Sequence, residues 1–158
     1  MAQRLQLVDS NYNAVGQSVV AKLLTFAGGT ANALGDHDGT ADPYTIFTVT
    51  GTVLARVWGI CGDTLVGAAT IECGITGDTA RIIAQIPDAT ALAVGEVWLD
   101  ATPTLKAEAV PAQIILSNNV ILTVGTANIT AGNITMYCMW EPVSAGSNVK
   151  AGTASQTG

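Results

Sequence analysis

The clearest structural signal in this chain is the run Ala69-Thr70-Ile71-Glu72-Cys73-Gly74-Ile75. Its odd-numbered residues are all apolar, whereas the even-numbered ones are Thr, Glu and Gly. Successive side chains of a β-strand point to opposite faces of its sheet. The alternation therefore predicts a strand with one buried face.

Other β-favouring runs, separated by turn residues, extend from this strand in both directions. Gly62-Asp63-Thr64 and Gly77-Asp78 are typical turn sequences. Residues 18–26 suit a strand or a short helix, and we favour the strand because glycines and β-rich sequence follow. The whole pattern predicts an all-β fold, an antiparallel β-sandwich or barrel of jelly-roll-like form. The other expected strands are 44–50, 53–61, 80–86, 95–101, 111–117, 120–125 and 133–141.

The last two expected strands, 120–125 and 133–141, are predicted to be the arms of one hairpin. The second arm carries apolar side chains on both faces, with Met136 on one and Tyr137 and Met139 on the other. Such a strand is expected to have the core on one side and another covering surface on the other.

The chain length suits a single domain with a sizeable core. We expect an N-terminal arm over residues 1–16 and one β domain over residues 17–143. Residues 144–158 are rich in Ser, Gly, Ala and Thr. Because such a composition buries little apolar surface, a flexible tail is predicted there.

Charged residues are unusually sparse for a protein of this size. Only 11% of the chain is charged, while 49% is hydrophobic. Small soluble domains usually carry charge on about a quarter to a third of their surface positions. The long uncharged segment 109–140 is interrupted by Asn and Gly, so it does not fit a transmembrane helix. These features predict a fold that covers much of its surface against copies of itself or a partner.

The balance of charge also limits the class of partner. The net charge is −6, and the 6 Lys and Arg residues are scattered along the chain. A groove for nucleic acid is therefore not expected, nor is a membrane partner. The first residues lack the apolar run of a secretory signal, which predicts an unprocessed cytoplasmic product.

The residue types that usually carry chemistry do not combine into a recognisable site. Asp36, His37, Asp38 and Asp42 share one loop, but the calcium-loop pattern fails, because Leu34 and Thr45 would stand where carboxylates are needed. His37, the single histidine, is flanked by two aspartates, which favours an exposed turn over a catalytic base. We therefore predict no catalytic residue, no metal site and no cofactor.

The cysteines and aromatic residues suggest packing and contact roles. Cys61, Cys73 and Cys138 lie in strand-like segments without metal-ligand spacing, so buried free thiols are expected. Trp98 and Trp140 are favoured as core residues. The candidate interface residues are Trp58, Arg56 and Tyr44, listed because aromatic residues and Arg are enriched in protein contacts and Trp58 shares a strand face with Arg56.

Several strings of this sequence, taken together and in order, resemble small virion proteins of tailed bacteriophages over residues 44–150. The resemblance implies a head decoration, or cement, protein that coats the capsid lattice, and it brings no catalytic residues with it. The strings are IFTVTG (46–51), LVGAATIECG (65–74), IAQ (83–85), GEVWLDATP (95–103), ILTVG (121–125) and YCMWEPVS (137–144).

Composition and resemblance together predict a non-enzymatic capsid decoration protein, located in the phage head after synthesis in the bacterial cytoplasm. Its expected partners are the major capsid protein and itself, as a homotrimer. One alternative is a tail-tube, neck or minor head protein. Another is a β module that binds carbohydrate or a host surface, and an enzyme is the least favoured class.

Overall fold

The computed structural model describes residues 7–8, 14–15, 17–37, 43–104 and 110–153. Within them the chain forms β-strands and one short 3₁₀ segment, Ala89–Ala91. None of the helical segments found there has the length and hydropathy to cross a membrane. The strands are β1 (Leu7–Val8), β2 (Ala14–Val15), β3 (Ser18–Thr25), β4 (Pro43–Thr50), β5 (Val53–Val66), β6 (Thr70–Ile75), β7 (Asp78–Ile86), β8 (Val97–Trp98), β9 (Ile114–Leu116), β10 (Val120–Gly125), β11 (Ala131–Pro142) and β12 (Asn148–Ala151).

Two antiparallel sheets make up the fold. Sheet I has the strand order β12-β4-β10-β6-β7. Sheet II has the order β3-β11-β5-β8, and β9 also pairs with β5. The short strands β1 and β2 pair with each other. The predicted all-β, antiparallel sandwich is therefore confirmed.

The core lies between the inward faces of the two sheets. Ile71 and Cys73 of β6 are fully buried there, which confirms the strand predicted from the alternation at residues 69–75. Sheet II contributes Ile134 and Met136 from β11 and Trp98 from β8, all of them fully buried. Removing these apolar side chains from water is the main force that holds the sheets together.

The predicted hairpin of residues 120–125 and 133–141 is wrong. β10 lies in sheet I between β4 and β6, whereas β11 lies in sheet II between β3 and β5. The connection crosses from one sheet to the other through buried Ile129, whose backbone pairs with Gly28 and Gly35. Because these hydrogen bonds hold the connection in place, β10 and β11 need not pair with each other.

The predicted turn at residues 62–64 is also wrong, because β5 continues unbroken to Val66. The pairing of β5 with β11 shifts register around Asn133, as in a β-bulge. The amide of Asn133 donates a hydrogen bond to the carboxylate of Asp63. A side chain at Gly62 would overlap Asn133. These turn-favouring residues thus accommodate a bulge inside a strand.

Both ends of the sandwich differ in detail from expectation. The strands predicted at 95–101 and 111–117 are the shorter β8 and β9. Within the range expected to be a tail, β12 pairs with β4 and buries Val149, so sheet I reaches past residue 143. Of the predicted arm, 1–16, the backbone of β1 and β2 is described, and residues 154–158 lie outside the described part.

Gly59 offers a test of this packing, because it lies opposite Trp98 in the pairing of β5 with β8. A Cβ at Gly59 would lie 2.8 Å from the Sδ of Met136 and 2.9 Å from a methyl of Ile134. We expect Gly59→Ala to lower the free energy of unfolding by about 1–3 kcal/mol, as overpacking does. Each lost kcal/mol should lower the Tm by roughly 2–4 °C in thermal unfolding.

The matched control for this substitution is Gly29→Ala. A Cβ at Gly29 would meet one atom, a methyl of Thr130 at 3.9 Å, which is ordinary contact. Equal Tm values for the two variants would contradict the packing of Trp98 against Gly59.

Candidate docking face

The outward face of sheet I is mostly polar, although Ile121 of β10 lies on it opposite Gly74 and is buried. Thr48 and Thr50 of β4 and Lys150 of β12 are exposed on it. On β6 and β7, the amide of Gln85 donates a hydrogen bond of 3.0 Å to the carboxylate of Glu72. Water solvates hydroxyl, amide and charged groups well, so this face suits contact with solvent.

The outward face of sheet II has the opposite character, and we call it the docking face. Within the described residues it carries charge at Arg56 and Glu141, with Asp63 at the bulge. At its margins Val19 and Leu23 are each 59% exposed and Ile115 is 69% exposed. Its other apolar side chains are Leu54, Trp58, Ile60, Val97, Tyr137 and Met139.

Strand pairing builds the centre of the docking face. Trp58 and Tyr137 lie opposite each other on β5 and β11, and their rings stack with centroids 5.5 Å apart and planes 13° apart. Arg56 lies opposite Met139 on the same two strands. The aromatic pair and the methionine form a flat apolar centre, and offset stacking adds to the stability of such a pair.

A depression of about 250 Å³ opens beside this centre. Arg56 and Trp58 form one side of it, while Val97, Leu99 and Val110 form another. The Nε of Arg56 is buried and has no hydrogen-bond partner. A buried donor without an acceptor costs about 1–3 kcal/mol, so the fold holds this guanidinium at an energetic cost.

The structure brings together two of the three predicted interface residues. Arg56 and Trp58 are two positions apart on β5 and share the docking face. Tyr44 lies instead on β4, half-buried against the core, with the Nζ of Lys22 5.2 Å from its ring centroid. Its contacts are those of a core-edge residue.

Sequence reasoning missed the partners that complete the docking face. The only sequence feature that pointed to Tyr137 and Met139 is that residues 133–141 carry apolar side chains on both faces of the strand. Val19 and Leu23 are placed there by the pairing of β3 with β11. Trp98 is fully buried and Trp140 packs against the core from a half-buried position, as expected of both.

The acidic loop contributes local hydrogen bonds. The carboxylate of Asp36 accepts a bond of 2.8 Å from the backbone of Asn32, and the backbone of His37 donates to the side chain of Asn128. Asp38 and Asp42 lie outside the described residues. Among the residues described, no group of His, Cys, Asp and Glu side chains is arranged to hold a metal ion.

The three cysteines are buried free thiols, as predicted. Burial raises the pKa of Cys61 to about 11, with the charges of Glu96 and Asp63 adding to the effect. Burial also raises the pKa of Cys138 to about 12 and holds the pKa of Cys73 well above its usual range. Since the thiolate is the reactive form, these groups act as small apolar side chains near neutral pH.

No family model, no curated protein and no solved structure matches this chain. The docking face and the composition are therefore the physical basis for a functional proposal.

Two adjacent leucines of β3 test which side of sheet II faces outward. Leu24 is fully buried, whereas Leu23 is 59% exposed on the docking face. We expect Leu24→Ala to cost about 2–5 kcal/mol of unfolding free energy because it leaves a cavity in the core. Leu23→Ala should change the same quantity by less than about 0.5 kcal/mol in urea unfolding of dilute protein.

The two variants have the same change of side chain on the same strand, so each is the control for the other. Similar losses of unfolding free energy in both would mean that Leu23 also lies in a core and that the docking face is misplaced.

Proposed function

We propose that this chain is a non-enzymatic head decoration protein of a tailed bacteriophage, which associates with copies of itself and coats the lattice of the major capsid protein. The observation that carries self-association is the apolar docking face of sheet II. The resemblance to phage virion proteins supports the head lattice as the further partner.

The size of the docking face supports a protein contact. β11 has 12 residues, and at ~3.4 Å per residue this gives a length of about 40 Å. Four strand positions lie about 4.8 Å apart, but β3 has 8 residues and β8 and β9 have 2 and 3, so the strands together cover about 640 Å². This is close to the ~800 Å² per partner that a stable interface buries. Contiguous apolar patches larger than a few hundred Å² are rare on monomers and mark interaction sites.

Self-association also accounts for the sparse charge of the whole chain. Interfaces between permanently associated copies are more apolar than ordinary protein surface. We propose the homotrimer as the form in which the copies meet. Joined copies attach to a lattice at several points at once, so weak contacts of each copy with the coat protein add through multivalency.

A mechanical role suits the sandwich. Each sheet is a hydrogen-bonded ladder, and the core between them contains large side chains such as Phe47 and Trp98 in fully buried positions. Close-packed interiors of this kind resist compression and transmit strain. A layer of such domains that bridges neighbouring coat subunits would help the filled shell to resist internal pressure.

Binding to particles assembled from coat protein alone tests this proposal. We expect the purified chain, added in excess, to sediment with such particles in many copies per particle, because decoration covers the lattice. The measurement is quantitative gel analysis of the pellet, with bovine serum albumin as a control for trapped protein.

Each other outcome contradicts decoration. Failure to sediment with the particles ends the proposal. Binding that saturates at one ring of copies per particle would favour the neck or tail-tube alternative. A decrease of Trp58 fluorescence on titration with glycans, without sedimentation, would favour the carbohydrate-binding alternative.

A further inference from the structure

Two opposite charges lie side by side on the docking face. Arg56 on β5 is opposite Met139 on β11, and Glu141 on β11 is opposite Leu54 on β5. Arg56 and Glu141 are therefore diagonal neighbours, whose Cα atoms are typically about 7–8 Å apart in an antiparallel pair. Both also line one small cleft at this end of the strands.

Neither charge is satisfied within the described part of the chain. The ion pair recorded there joins Arg81 to Asp78 at 3.9 Å, at an exposed site. The Nε of Arg56 is buried without an acceptor.

Glu141 differs in this respect from the other carboxylates that the structure describes. The side-chain carboxylate of Glu141 forms neither a hydrogen bond nor an ion pair with a described residue. Each of the others has at least one polar partner, namely Asp36, Asp63, Glu72, Asp78, Asp88, Glu96 and Asp100.

We propose that Arg56 of one copy pairs with Glu141 of the next copy when their docking faces meet, and that this ion pair, repeated around the symmetry axis, sets how the copies are oriented. The inference rests on the self-association in the proposed function and names its contact. A face that presents one positive and one negative group next to each other is complementary to itself. Rotation about a symmetry axis can bring each Arg56 to the Glu141 of the next copy.

The surroundings make this pair a determinant of orientation. Trp58, Met139 and Leu54 flank it, so contact between two faces would remove the pair from water. A desolvated charge that lacks its partner is costly, whereas apolar side chains tolerate many relative positions. Copies that meet in another orientation would bury Arg56 and Glu141 unpaired, and the ion pair thus selects one arrangement.

Charge reversal with exchange of partners tests the pair directly. The measured quantity is the dissociation constant of self-association, from sedimentation equilibrium of the full chain. Arg56→Glu alone and Glu141→Arg alone should each weaken association at least about 30-fold, since a buried charge pair broken on one side costs 2–5 kcal/mol. The double variant Arg56→Glu/Glu141→Arg should recover most of the association with itself, because each Glu at position 56 then meets an Arg at position 141 around any symmetry axis.

Arg81→Glu is the matched control, since it makes the same charge change at an exposed site on sheet I. It should leave the dissociation constant within about twofold of the wild-type value. Far-UV circular dichroism and the Tm of each variant establish that the chain is folded. The double variant should not co-assemble with the wild type, because like charges then meet at the 56–141 contact. A pair within one copy would instead allow free co-assembly, so this measurement separates the two cases.

Four results would overturn the inference: a monomeric wild-type chain, single reversals that associate as the wild type does, a double variant that stays dissociated, or a double variant that co-assembles freely with the wild type. None of them bears on sedimentation with coat particles, which can succeed with a monomer. Conversely, if the pair forms between copies but the chain does not sediment with coat particles, this inference stands and the decoration proposal fails.

Discussion

Sheet II has apolar side chains on both of its faces, and the proposed self-association depends on that constraint. The inward face is covered by sheet I, with Ile134 and Met136 in the core. The outward face has Trp58, Tyr137 and Met139 at its centre, and no described element of the chain packs over the exposed margins at Leu23 and Ile115. Sheet I has Thr48, Glu72 and Lys150 on its outward face, and the apolar Ile121 there is already buried. The two sheets of the sandwich therefore differ in the polarity of their outward faces, and the outward face of sheet II is the more apolar one.

The core supports the docking face from beneath. Gly59 leaves room for Trp98 beneath the centre of β5, and the bulge at Asp63 and Asn133 lets the long strand follow β11 to its end. At the edge formed by β3, Lys22 points inward, where its ammonium group donates to the carbonyl of Gly152 and lies over the ring of Tyr44. An inward charge on an edge strand discourages the addition of a further strand. Under the proposed self-association, contact between copies would then be directed to the face of the sheet.

Much of the local structure could be predicted from the sequence, because it depends on local alternation. Residues 69–75 follow the two-residue period, and the same period places Trp58 beside Arg56. Residues 44–50 form the predicted strand, but Ile46 and Phe47 are both buried where the pairing of β4 with β10 shifts register. The long-range features could not be predicted in this way. All of β10 except Gly125 is buried, so its pattern contains no information about which strands pair with it. Gly62 and Asp63 favour a turn locally, yet the opposite strand stabilises them as a bulge. Tyr137 and Glu141 join the docking face only through the register of β11 with β5. This register brings together residues that are far apart in the sequence.

The central claim is that the docking face is covered in the native protein, and hydroxyl-radical labelling read by mass spectrometry tests it most directly. We expect Trp58, Tyr137 and Met139 to be protected at high protein concentration and to become labelled on dilution, as copies separate. Tyr44, which lies away from this face, should keep one rate of labelling throughout and acts as the internal control. Labelling of Met139 and Trp58 that is the same at every concentration would contradict the account.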